Sequence, residues 1–599
     1  MNGGPVLEAA PLLGVERSVL GRRWRLRDID ERLATALTQR FDLPEVVARV
    51  LAGRGVTLKT AQGFLSPTMR EQLPDPSHLR DMDAAVVRLV AAVRDGETIA
   101  VFGDYDVDGA TSAAVLRRYL EAAGATVLVH IPDRLEEGYG PNAPALLALK
   151  GQGAGVCVCV DCGMTAYDPL AAARDAGLDV IVVDHHEAGE ALPPAVAVIN
   201  PKRRDETTPH THLAAVGVTF LLVVGLNRAL RESGWYTARP EPDLMALLDL
   251  VALGTVCDVV PLTGLNRAFV TQGLRIMARR GNPGLVALAD VARLAEAPTA
   301  YHLGYVLGPR INAGGRVGEA SMGMRLLSTA DPDEARRLAE ALDAFNGDRQ
   351  EIEAQVLLEA IEQVEGAREA VDGPLVMAVG EGWHPGVVGI VASRLKDRYD
   401  LPACVVAVEG GQAKGSGRSS VPGLDLGSAV IAAREAGLLT LGGGHAMAAG
   451  FSLHPDRIEA FRAFVAARLS EQAGDGGLPD PCLDLDGTLA VEGAGGALLD
   501  QLEHVAPYGA GNPEPVFAVT GARLLFADVV GSGHVRCQLG GQGGGRLKGI
   551  AFRAADGELG QALLRASGSV VHVAGTIRMD RWQGQARPQI VISDMTLAG

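Results

Sequence analysis

Short apolar runs alternate with helix-length amphipathic segments between residues 98 and 200. Strands of four to six residues separated by about one helix are typical of a parallel sheet with crossover helices. The pattern predicts an α/β domain over residues 95–285, with a five-strand parallel sheet at its core. The predicted strands are TIAVFG (98–103), TVLVHI (126–131), VCVCV (156–160), VIVV (180–183) and VAVIN (196–200).

The rest of the chain follows other patterns. Residues 1–94 are mostly amphipathic and predict a helical N-terminal region. A linker region over 286–372 contains a long charged helix or helix pair at 331–370. A second α/β unit is predicted over 373–472, from runs such as ACVVAVEGG, and a Gly/Pro linker follows it. Short strand-like runs over 480–599 predict a small β domain.

Acidic residues and histidines directly follow three of the predicted parallel strands. The carboxyl ends of neighbouring parallel strands form the ligand crevice of an open sheet, so these side chains should converge on one place. Asp and His ligands without a thiolate suit hard or borderline divalent ions such as Mn²⁺ or Mg²⁺. The residues are Asp104, Asp106, Asp108, Asp161, Asp184, His185 and His186.

Each of these pieces also has a simpler structural interpretation. A DxDxD run occurs in solvated turns and calcium loops, and a pair of histidines is commonly structural or caps a helix. Asp258, in VALGTVCDVVPL, is compatible with the end of a helix. The occurrence of all three motifs at strand ends, in order, favours a shared metal centre with Asp258 as a further member.

Composition narrows the class of protein. The chain has 599 residues, too many for one core, and its 47% hydrophobic and 21% charged residues are typical of globular domains. Seven cysteines indicate a reducing compartment without a disulfide framework. Cys157, Cys159 and Cys162 lack a second CxxC or a histidine pair, which favours buried thiols over a zinc site. We find no secretory signal and no membrane span, and expect a cytoplasmic protein.

The net charge of −17 argues at first against a nucleic-acid partner, because proteins that neutralise phosphates are usually basic. A carboxylate metal centre, however, adds negative charge that bound cations cancel. A local basic channel is also compatible with an acidic exterior. The charge therefore leaves the partner open.

The motifs DYDVDG, VDCG, VDHH and LGTVCDVVPL are similar to the successive motifs of the DHH phosphoesterase superfamily. Further segments resemble the RecJ family of single-strand-specific 5′→3′ exonucleases: PDRLEEGYG, GPRINAGGR, GSGRS, LTLGGGHAMAAGFSL and APYGAGNPEPVF. The resemblance spans about residues 20 to 599. It implies a multidomain α/β protein in which a DHH domain and a DHH-associated substrate-binding domain are joined by a long helix and followed by an OB-fold β-barrel.

The resemblance also implies roles for the residues at the strand ends. Asp161 corresponds to a ligand that bridges two metal ions, Asp104 stands at a further ligand-or-support position, and His186 stands where the scissile phosphate is contacted. Asp104, Asp161 and His186 are therefore the expected catalytic residues. The expected metal ligands, for Mn²⁺ or Mg²⁺, are Asp104, Asp106, Asp108, Asp161, His185 and Asp258.

A second set of residues is expected to bind the substrate. Arginine suits bidentate phosphate contact, and glycine lets a backbone approach an anion closely. By resemblance, Arg316, Ser416 and Arg418 hold the 5′ end and set polarity. GPRINAGGR alone is equally compatible with a turn, and GGGH with the start of a helix. The expected substrate-binding residues are Arg134, Tyr139, Arg310, Asn312, Arg316, Ser416, Arg418 and His445; sparser possibilities in the OB-like region are Tyr508, Phe517, Arg523, Arg536, Phe552, Arg581 and Trp582.

The resemblance therefore implies a metal-dependent exodeoxyribonuclease that releases 5′-mononucleotides from single-stranded DNA in recombination and repair. Its expected partners are single-strand-binding protein and a helicase, and the expected state is a monomer. One alternative is a short-substrate DHH phosphoesterase, such as an oligoribonuclease or a pAp phosphatase, but such chains usually end after two domains. Another is a non-catalytic single-strand-binding scaffold, which should have lost metal ligands.

Overall fold

The computed structural model of the chain describes residues 10–134, 137–366, 373–474, 477–478, 480–580 and 586–598. None of the helices in these ranges combines the length and the apolar character that a membrane span requires.

The N-terminal region is mainly helical but also contributes one strand. Its elements are β1 (Arg23–Leu26), α1 (Glu31–Phe41), α2 (Glu45–Gly53), α3 (Ala61–Leu65), α4 (Met69–Gln72) and α5 (Met82–Asp95).

A five-stranded, fully parallel sheet forms the core of the next unit, as the apolar runs predict. Helices cover both faces, because alternate residues of each strand point to opposite sides: Val156 and Val158 face one core, and Cys157 and Cys159 face the other. The strands, in spatial order β3-β2-β4-β5-β6, are β2 (Thr98–Phe102), β3 (Thr126–His130), β4 (Ala154–Val160), β5 (Asp179–Val183) and β6 (Ala197–Ile199). The helices are α6 (Val107–Ala122), α7 (Ala143–Gly151), α8 (Tyr167–Asp175), α9 (Ala215–Glu232), α10 (Leu248–Cys257), α11 (Gly264–Met277) and α12 (Pro283–Val291).

A helical region connects this unit to the next. The charged segment forms one 35-residue helix, α16, rather than a helix pair within the described residues. GPRINAGGR is helix α14 and not a turn; its glycines allow close packing, since a Cβ on Gly315 would lie 3.0 Å from the Tyr105 carbonyl oxygen. The elements are α13 (Ala300–His302), a π-helical turn (Leu303–Leu307), α14 (Gly308–Val317), α15 (Met322–Ser328) and α16 (Pro332–Gly366).

The second α/β unit contains a mixed sheet in the order β10-β11-β9-β8-β7, in which only β7 and β8 are parallel to each other. GSGRS forms the end of β9 and the residue after it. GGGH lies on β10, so the interpretation of GGGH as the start of a helix is wrong. The elements are β7 (Val376–Glu381), α17 (Val388–Tyr399), β8 (Ala403–Glu409), β9 (Gln412–Arg418), α18 (Leu426–Glu435), β10 (Leu441–His445), β11 (Ala448–Leu453) and α19 (Ile458–Ala473).

The C-terminal unit is a closed barrel. The long strand β14 pairs with both β15 and β17, so that β14-β15-β16-β18-β17 returns to β14, which is the closure of an OB fold. The elements are β12 (Cys482–Leu485), β13 (Gly487–Leu489), α20 (Gly496–Glu503), β14 (Val516–Val530), β15 (His534–Gly540), β16 (Arg546–Ala551), α21 (Glu558–Arg565), β17 (Val570–Asp580) and β18 (Arg587–Leu597).

The two ends of the chain share a core. β1 pairs in parallel with β12, and the fully buried Trp24 donates its indole N–H to Asp594 Oδ2 at 3.0 Å. Arg54 donates to the buried Asp486 carboxylate, and Leu51 packs in one cluster with barrel residues such as Phe517. The N-terminal helices are therefore part of the support of the C-terminal barrel.

Truncation of Trp24 to alanine should destabilise the C-terminal barrel by about 3–5 kcal/mol, since it empties a fully buried site and removes the donor to Asp594. Urea unfolding followed by circular dichroism, with limited proteolysis of the barrel, measures the effect. Trp24→Phe is the control: it keeps most of the packing and should cost only the unsatisfied carboxylate, about 1–3 kcal/mol. A loss below about 1 kcal/mol for Trp24→Ala would contradict the shared core.

Candidate metal centre

The acidic and histidine side chains of three strand ends lie together at the carboxyl edge of the parallel sheet. β2 leads into three aspartates, β4 into one aspartate and β5 into two histidines, and α10 adds an aspartate at its C-terminus. Three triads have one ligand atom from each member within 4.8 Å of the others. They are Asp104 with Asp106 and Asp161, Asp108 with His185 and Asp258, and Asp161 with His185 and His186.

Asp161 joins two of these triads because it belongs to both, as His185 also does for two of them. Its backbone has φ 60°, in the left-handed region that aspartate tolerates better than most residues. Its amide still donates to the Val183 carbonyl, 3.0 Å away, so the β4–β5 ladder continues to this point. His185 Nε2 lies 3.4 Å from Asp161 Oδ1 and 3.8 Å from Asp108 Oδ2.

Helix N-termini orient two of the aspartates. Asp106 caps α6 by accepting from the Gly109 amide at 3.0 Å. Both oxygens of Asp108 accept backbone amides at the start of α9, from Ala215 at 2.7 Å and Val216 at 2.9 Å. Carboxylates are stabilised at such positions by unpaired N–H groups and the helix dipole. No sequence motif predicts the contact between Asp108 and α9, because this contact joins segments that are 107 residues apart.

Burial and mutual repulsion raise the pKa values of four carboxyl groups of the cluster. Burial and the neighbouring Asp106 raise the pKa of Asp104 to about 8 and that of Asp108 to about 7. For Asp258, burial followed by the charges of Asp108 and Asp106 raises the pKa to about 9. Burial and four neighbouring aspartates also raise the pKa of Asp161 well above its ordinary value. Without a counter-charge, this cluster is costly to ionise.

His185 has the opposite shift. Burial, and secondarily the neighbouring His186, lower its pKa to about 4, so the imidazole is neutral at physiological pH. The neutral form is the one that ligates metals.

The buried polar atoms that lack a hydrogen-bond partner show whether the cluster fits divalent ions. Asp104 Oδ1, Asp161 Oδ1, Asp258 Oδ2 and His185 Nδ1 are buried and have no hydrogen-bond partner among the described residues. Buried polar atoms are normally paired, and these four belong to the same cluster. Oxygen and imidazole donors suit Mn²⁺ and Mg²⁺, so the residues fit such ions.

Asp184 is a site residue for which the sequence predicts a position at a strand end but no role. Its buried carboxylate accepts from the amides of Met164 and His185 and from His186 Nδ1 at 2.7 Å. These contacts orient the half-exposed His186 ring. The hydroxyl of Tyr139 lies 3.2 Å from the same Nδ1 and donates to the Asp161 carbonyl.

Arginines lie near the acidic cluster. Arg316, on α14, donates to the Gly386 carbonyl, and Arg418, on β9, donates to Ser416 Oγ at 2.8 Å. Burial and the charges of Arg134 and other arginines lower the pKa of Arg316 to about 10. Within the part of the chain that the structure describes, Arg134, Arg316 and Arg418 form no ion pair with a carboxylate. Such a group of cations suits an anionic ligand.

The other predicted substrate residues have mixed positions. Arg310 pairs with Asp343 of α16 at 2.8 Å and donates to the Val306 carbonyl, so its donors already have partners. Asn312 is half-buried on α14. His445 is exposed and lies in the same cross-strand row as Arg418, since both pair with Ala448 of β11.

In the OB-like barrel the predicted contacts are also mixed. Phe517 is fully buried, and the Tyr508 hydroxyl donates to the Leu502 carbonyl. Phe552 is 57% exposed against His534. Arg523 donates to the Gly568 carbonyl, and Arg536 pairs with Asp528. Arg581 and Trp582 lie outside the described residues.

A parallel sheet whose strand ends present Asp and His to divalent ions, beside unpaired arginines, defines a metal-dependent phosphoesterase. Comparison with known proteins supports this class. Family models match for the DHH family, N-terminal domain (residues 98–255), the DHHA1 domain (372–471) and the RecJ OB domain (485–594).

Individual relatives are similar over nearly the whole chain. The single-stranded-DNA-specific exonuclease RecJ of Dickeya dadantii is 39% identical, with 94% of this chain and 98% of that protein covered. The crystal structure of RecJ with Mn²⁺ from Thermus thermophilus matches with a TM-score of 0.78 and 31% identity, covering 96% of this chain and 79% of that one. The Mg²⁺ complex from the same organism matches with a TM-score of 0.72 and 29% identity, covering 96% and 78%. The chain belongs to the RecJ family of single-stranded-DNA-specific exonucleases.

Removal of divalent ions with EDTA should make the stability of the protein fall as the pH rises from about 5 to about 8. The folded-state pKa values of Asp104 and Asp108 are about 8 and about 7, against 3.8 for the free group. In this window the folded protein binds protons that the unfolded chain has released, so stability decreases with pH. Mn²⁺ should remove the decline, because the cation replaces the protons. Thermal denaturation at a series of pH values, with and without Mn²⁺, measures both effects.

Asp161→Asn is the matched variant, since asparagine tolerates the positive φ but carries no charge. It should be more stable than the wild type in EDTA at about pH 8 and should lose most of the stabilisation by Mn²⁺. For the wild type that stabilisation is about 2.7 kcal/mol at an ion concentration of about 100 Kd. A wild-type melting temperature that responds neither to Mn²⁺ nor to pH would contradict a metal centre here.

Proposed function

We propose that this protein digests single-stranded DNA from its 5′ end and releases 5′-mononucleotides, with two divalent ions, Mn²⁺ or Mg²⁺, as cofactors. The observation that carries the proposal is the juxtaposition of two sets of groups: unpaired carboxylates at the sheet edge and unpaired arginines on α14 and β9. The oxygens of a phosphodiester are negatively charged and are stabilised by cations. The carboxyl edge of the sheet offers ligands for metal ions, and guanidinium groups lie beside it. Membership of the RecJ family supports the exonuclease activity and the single-stranded substrate.

The triads suggest how the ligands divide between the ions. Asp104 and Asp106 would hold one ion, and Asp108, His185 and Asp258 the other, with Asp161 shared. When bound, such ions lower the pKa of a water and stabilise charge on the attacking and leaving oxygens.

His186 is the group that we propose to contact the scissile phosphate. Burial alone would lower its pKa, but the hydrogen bond and charge of Asp184 outweigh this and raise it. A protonated imidazole donates from both nitrogens. With Nδ1 held by Asp184, Nε2 remains to donate to a phosphate oxygen. Asp184 and Tyr139 act as positioning residues by orienting this ring.

Polarity would come from a pocket for the 5′ phosphate. Arg316, Ser416 and Arg418 surround the start of α17, because Arg316 contacts Gly386 and Arg418 Nη2 lies 3.0 Å from the Cβ position of Gly389. Amides at a helix N-terminus and guanidinium groups both favour a dianionic terminal phosphate. A terminal phosphate bound there would hold the strand by its 5′ end and direct the first phosphodiester towards the metal centre.

Two observations favour this function over the alternatives. A short-substrate phosphoesterase does not need a closed OB barrel, and this chain has one that matches the RecJ OB domain. A non-catalytic scaffold should have lost ligands, whereas every expected ligand lies in a triad.

We further propose that the enzyme acts as a cytoplasmic monomer in recombination and repair with single-strand-binding protein and a helicase, which family membership supports. Its seven free cysteines fit a reducing compartment.

Purified protein with Mn²⁺ should release labelled mononucleotide early from 5′-labelled single-stranded DNA and only late from 3′-labelled DNA. Gel electrophoresis of the products measures polarity, and blunt duplex DNA of the same sequence tests strand choice. Asp161→Asn should abolish release, because it removes the shared carboxylate without changing the backbone. Hydrolysis of dinucleotides or pAp alone would favour the short-substrate enzyme, and binding without cleavage would favour the scaffold.

Arg418→Met should reduce the preference for a 5′-phosphorylated strand over a 5′-hydroxyl strand by about tenfold or more, because it removes one charge-assisted contact to the terminal phosphate. The kcat/KM values of the two strands measure the preference. Arg310→Met is the control, since Arg310 is already paired with Asp343 and should leave the preference unchanged. Equal preference in the wild type and Arg418→Met would contradict the proposed pocket.

A further inference from the structure

A loop of the C-terminal unit, residues 504–513, lies against the catalytic unit through a buried arginine. Arg267 of α11 is 1% exposed, and its guanidinium donates to the carbonyls of Phe64 at 2.7 Å, Val505 at 3.0 Å and Ala506 at 2.6 Å, with longer contacts to two neighbouring carbonyls of the loop. The guanidinium carbon also lies 3.7 Å from the centre of the Phe64 ring. Burial lowers the pKa of Arg267 to about 10, so it stays charged at neutral pH. We call residues 504–513 the docking loop.

The docking loop has a fixed shape. Asn512 is fully buried and donates to the carbonyls of Val505 and Pro507, both at 2.8 Å. Gly509 and Asn512 exchange two backbone hydrogen bonds, at 3.0 and 3.1 Å. Arg267 and Asn512 therefore satisfy the carbonyls that follow α20, which would otherwise be buried without partners. This arrangement is the structure of the APYGAGNPEP motif, which has no place in the chemistry described above.

The docking loop contacts the segment that follows Asp258. The Leu262 amide donates to the Ala510 carbonyl at 2.8 Å. A Cβ on Gly511, whose φ is 70°, would lie 2.9 Å from Pro261 Cβ, and a Cβ on Gly509 would lie 2.7 Å from Leu262 Cδ1. The two surfaces are thus in contact at Gly509 and Gly511, without room for a Cβ at either glycine.

The Asp258 carboxylate has fewer hydrogen bonds to hold it than the carboxylates of Asp108 and Asp184 have. Asp108 has two backbone donors and Asp184 has several, whereas Asp258 Oδ2 has no donor among the described residues. Its Oδ2 lies 3.6 Å from His185 Nδ1. The position of the Asp258 carboxylate is therefore set by its backbone.

That backbone is strained on the side of the docking loop. Val259 has φ 61° and is 70% exposed, although a β-branched residue strongly disfavours the left-handed region. A residue in this conformation costs on the order of 1–3 kcal/mol and persists only where its surroundings enforce it. On the N-terminal side, the Val259 amide donates to the Val256 carbonyl of α10. On the C-terminal side, the Leu262 amide donates to the Ala510 carbonyl of the docking loop.

We propose that the docking loop is a positioning element for Asp258, so that the C-terminal unit completes the metal centre of the catalytic unit. The inference rests on the proposed role of Asp258 as a metal ligand. It assigns to Arg267, Asn512 and Gly511 an effect on metal affinity that none of them exerts by direct contact. Groups that orient metal ligands in this way are typically worth about 10–100-fold in affinity.

Mn²⁺ titration of the full-length protein, by calorimetry or by electron paramagnetic resonance of free Mn²⁺, tests the proposal. Arg267→Met removes the donors to the loop, and Gly511→Ala pushes the loop away from Pro261. Both variants should weaken one of the two Mn²⁺ sites about tenfold or more and leave the other unchanged. Arg267→Lys should lie between Arg267→Met and the wild type, because it keeps the charge with fewer donors. Where Arg267→Met does not fold, Gly511→Ala carries the test.

Trp24→Phe is the control, because it breaks a buried hydrogen bond between the N-terminal region and the barrel at a place away from the docking loop. It should lower thermal stability without changing Mn²⁺ affinity. Unchanged affinity in both loop variants, or an equal loss in Trp24→Phe, would overturn the proposal.

Hydrolysis of a 5′-phosphorylated dinucleotide gives a second readout, since so short a substrate does not reach along the barrel. The loop variants should lower kcat on the dinucleotide at limiting Mn²⁺ and recover at high Mn²⁺. A defect confined to KM for long strands would instead mean that the loop serves DNA binding by the barrel, and would overturn the positioning role. An inactive wild type would refute the proposed function, while the Mn²⁺ titration would still decide the role of the loop.

Discussion

Repulsion among buried carboxylates is the constraint on which the rest of this structure depends. Five aspartates and a neutral histidine occupy one small volume, and burial and neighbouring charges raise the pKa values of Asp104, Asp108, Asp161 and Asp258. A chain tolerates such a cluster only where rigid elements hold it and cations neutralise it. The parallel sheet meets the first requirement, since its strand ends share one edge and its ladder extends to the amide of Asp161. The helix N-termini at Asp106 and Asp108 add positive dipoles to the same place.

The positive charge beside the acidic cluster comes from other elements of the chain. Arg316 lies on the helix α14, before the 35-residue connector, and Arg418 lies on the mixed sheet beyond it. The connector itself carries the buried pair of Arg349 and Glu353, whereas Arg316 and Arg418 form no ion pair among the described residues. A net charge of −17 is consequently a poor guide to this protein's ligand, because the field in the cleft is set by a few local groups.

The N-terminal region and the C-terminal barrel are in direct contact. β1 joins β12, Trp24 reaches Asp594, and the N-terminal helices share a core with the barrel. Arg267 then connects the N-terminal region, α11 and the docking loop at a single guanidinium. The barrel is thereby joined to the unit that carries the acidic edge of the sheet. An enzyme that draws a flexible strand through its site benefits from such a frame, because small displacements of ligands are costly in catalysis.

Sequence alone determined which elements exist and which residues end the parallel strands, because hydrophobic periodicity and strand-end chemistry are local properties. The five strands, a small C-terminal β domain and the acidic residues at the strand ends follow from that information, whereas the OB-fold barrel was implied only by the resemblance to one family. Tertiary structure decided the contacts that join distant segments: the capping of Asp108 by α9, the pairing of Arg310 with Asp343, and the orientation of His186 by Asp184 and Tyr139. It also decided that GPRINAGGR is a helix and GGGH a strand, since close packing overrides the low intrinsic preference of glycine for either. A side chain's partner depends on which surfaces meet in space, and no period or motif along the chain records that.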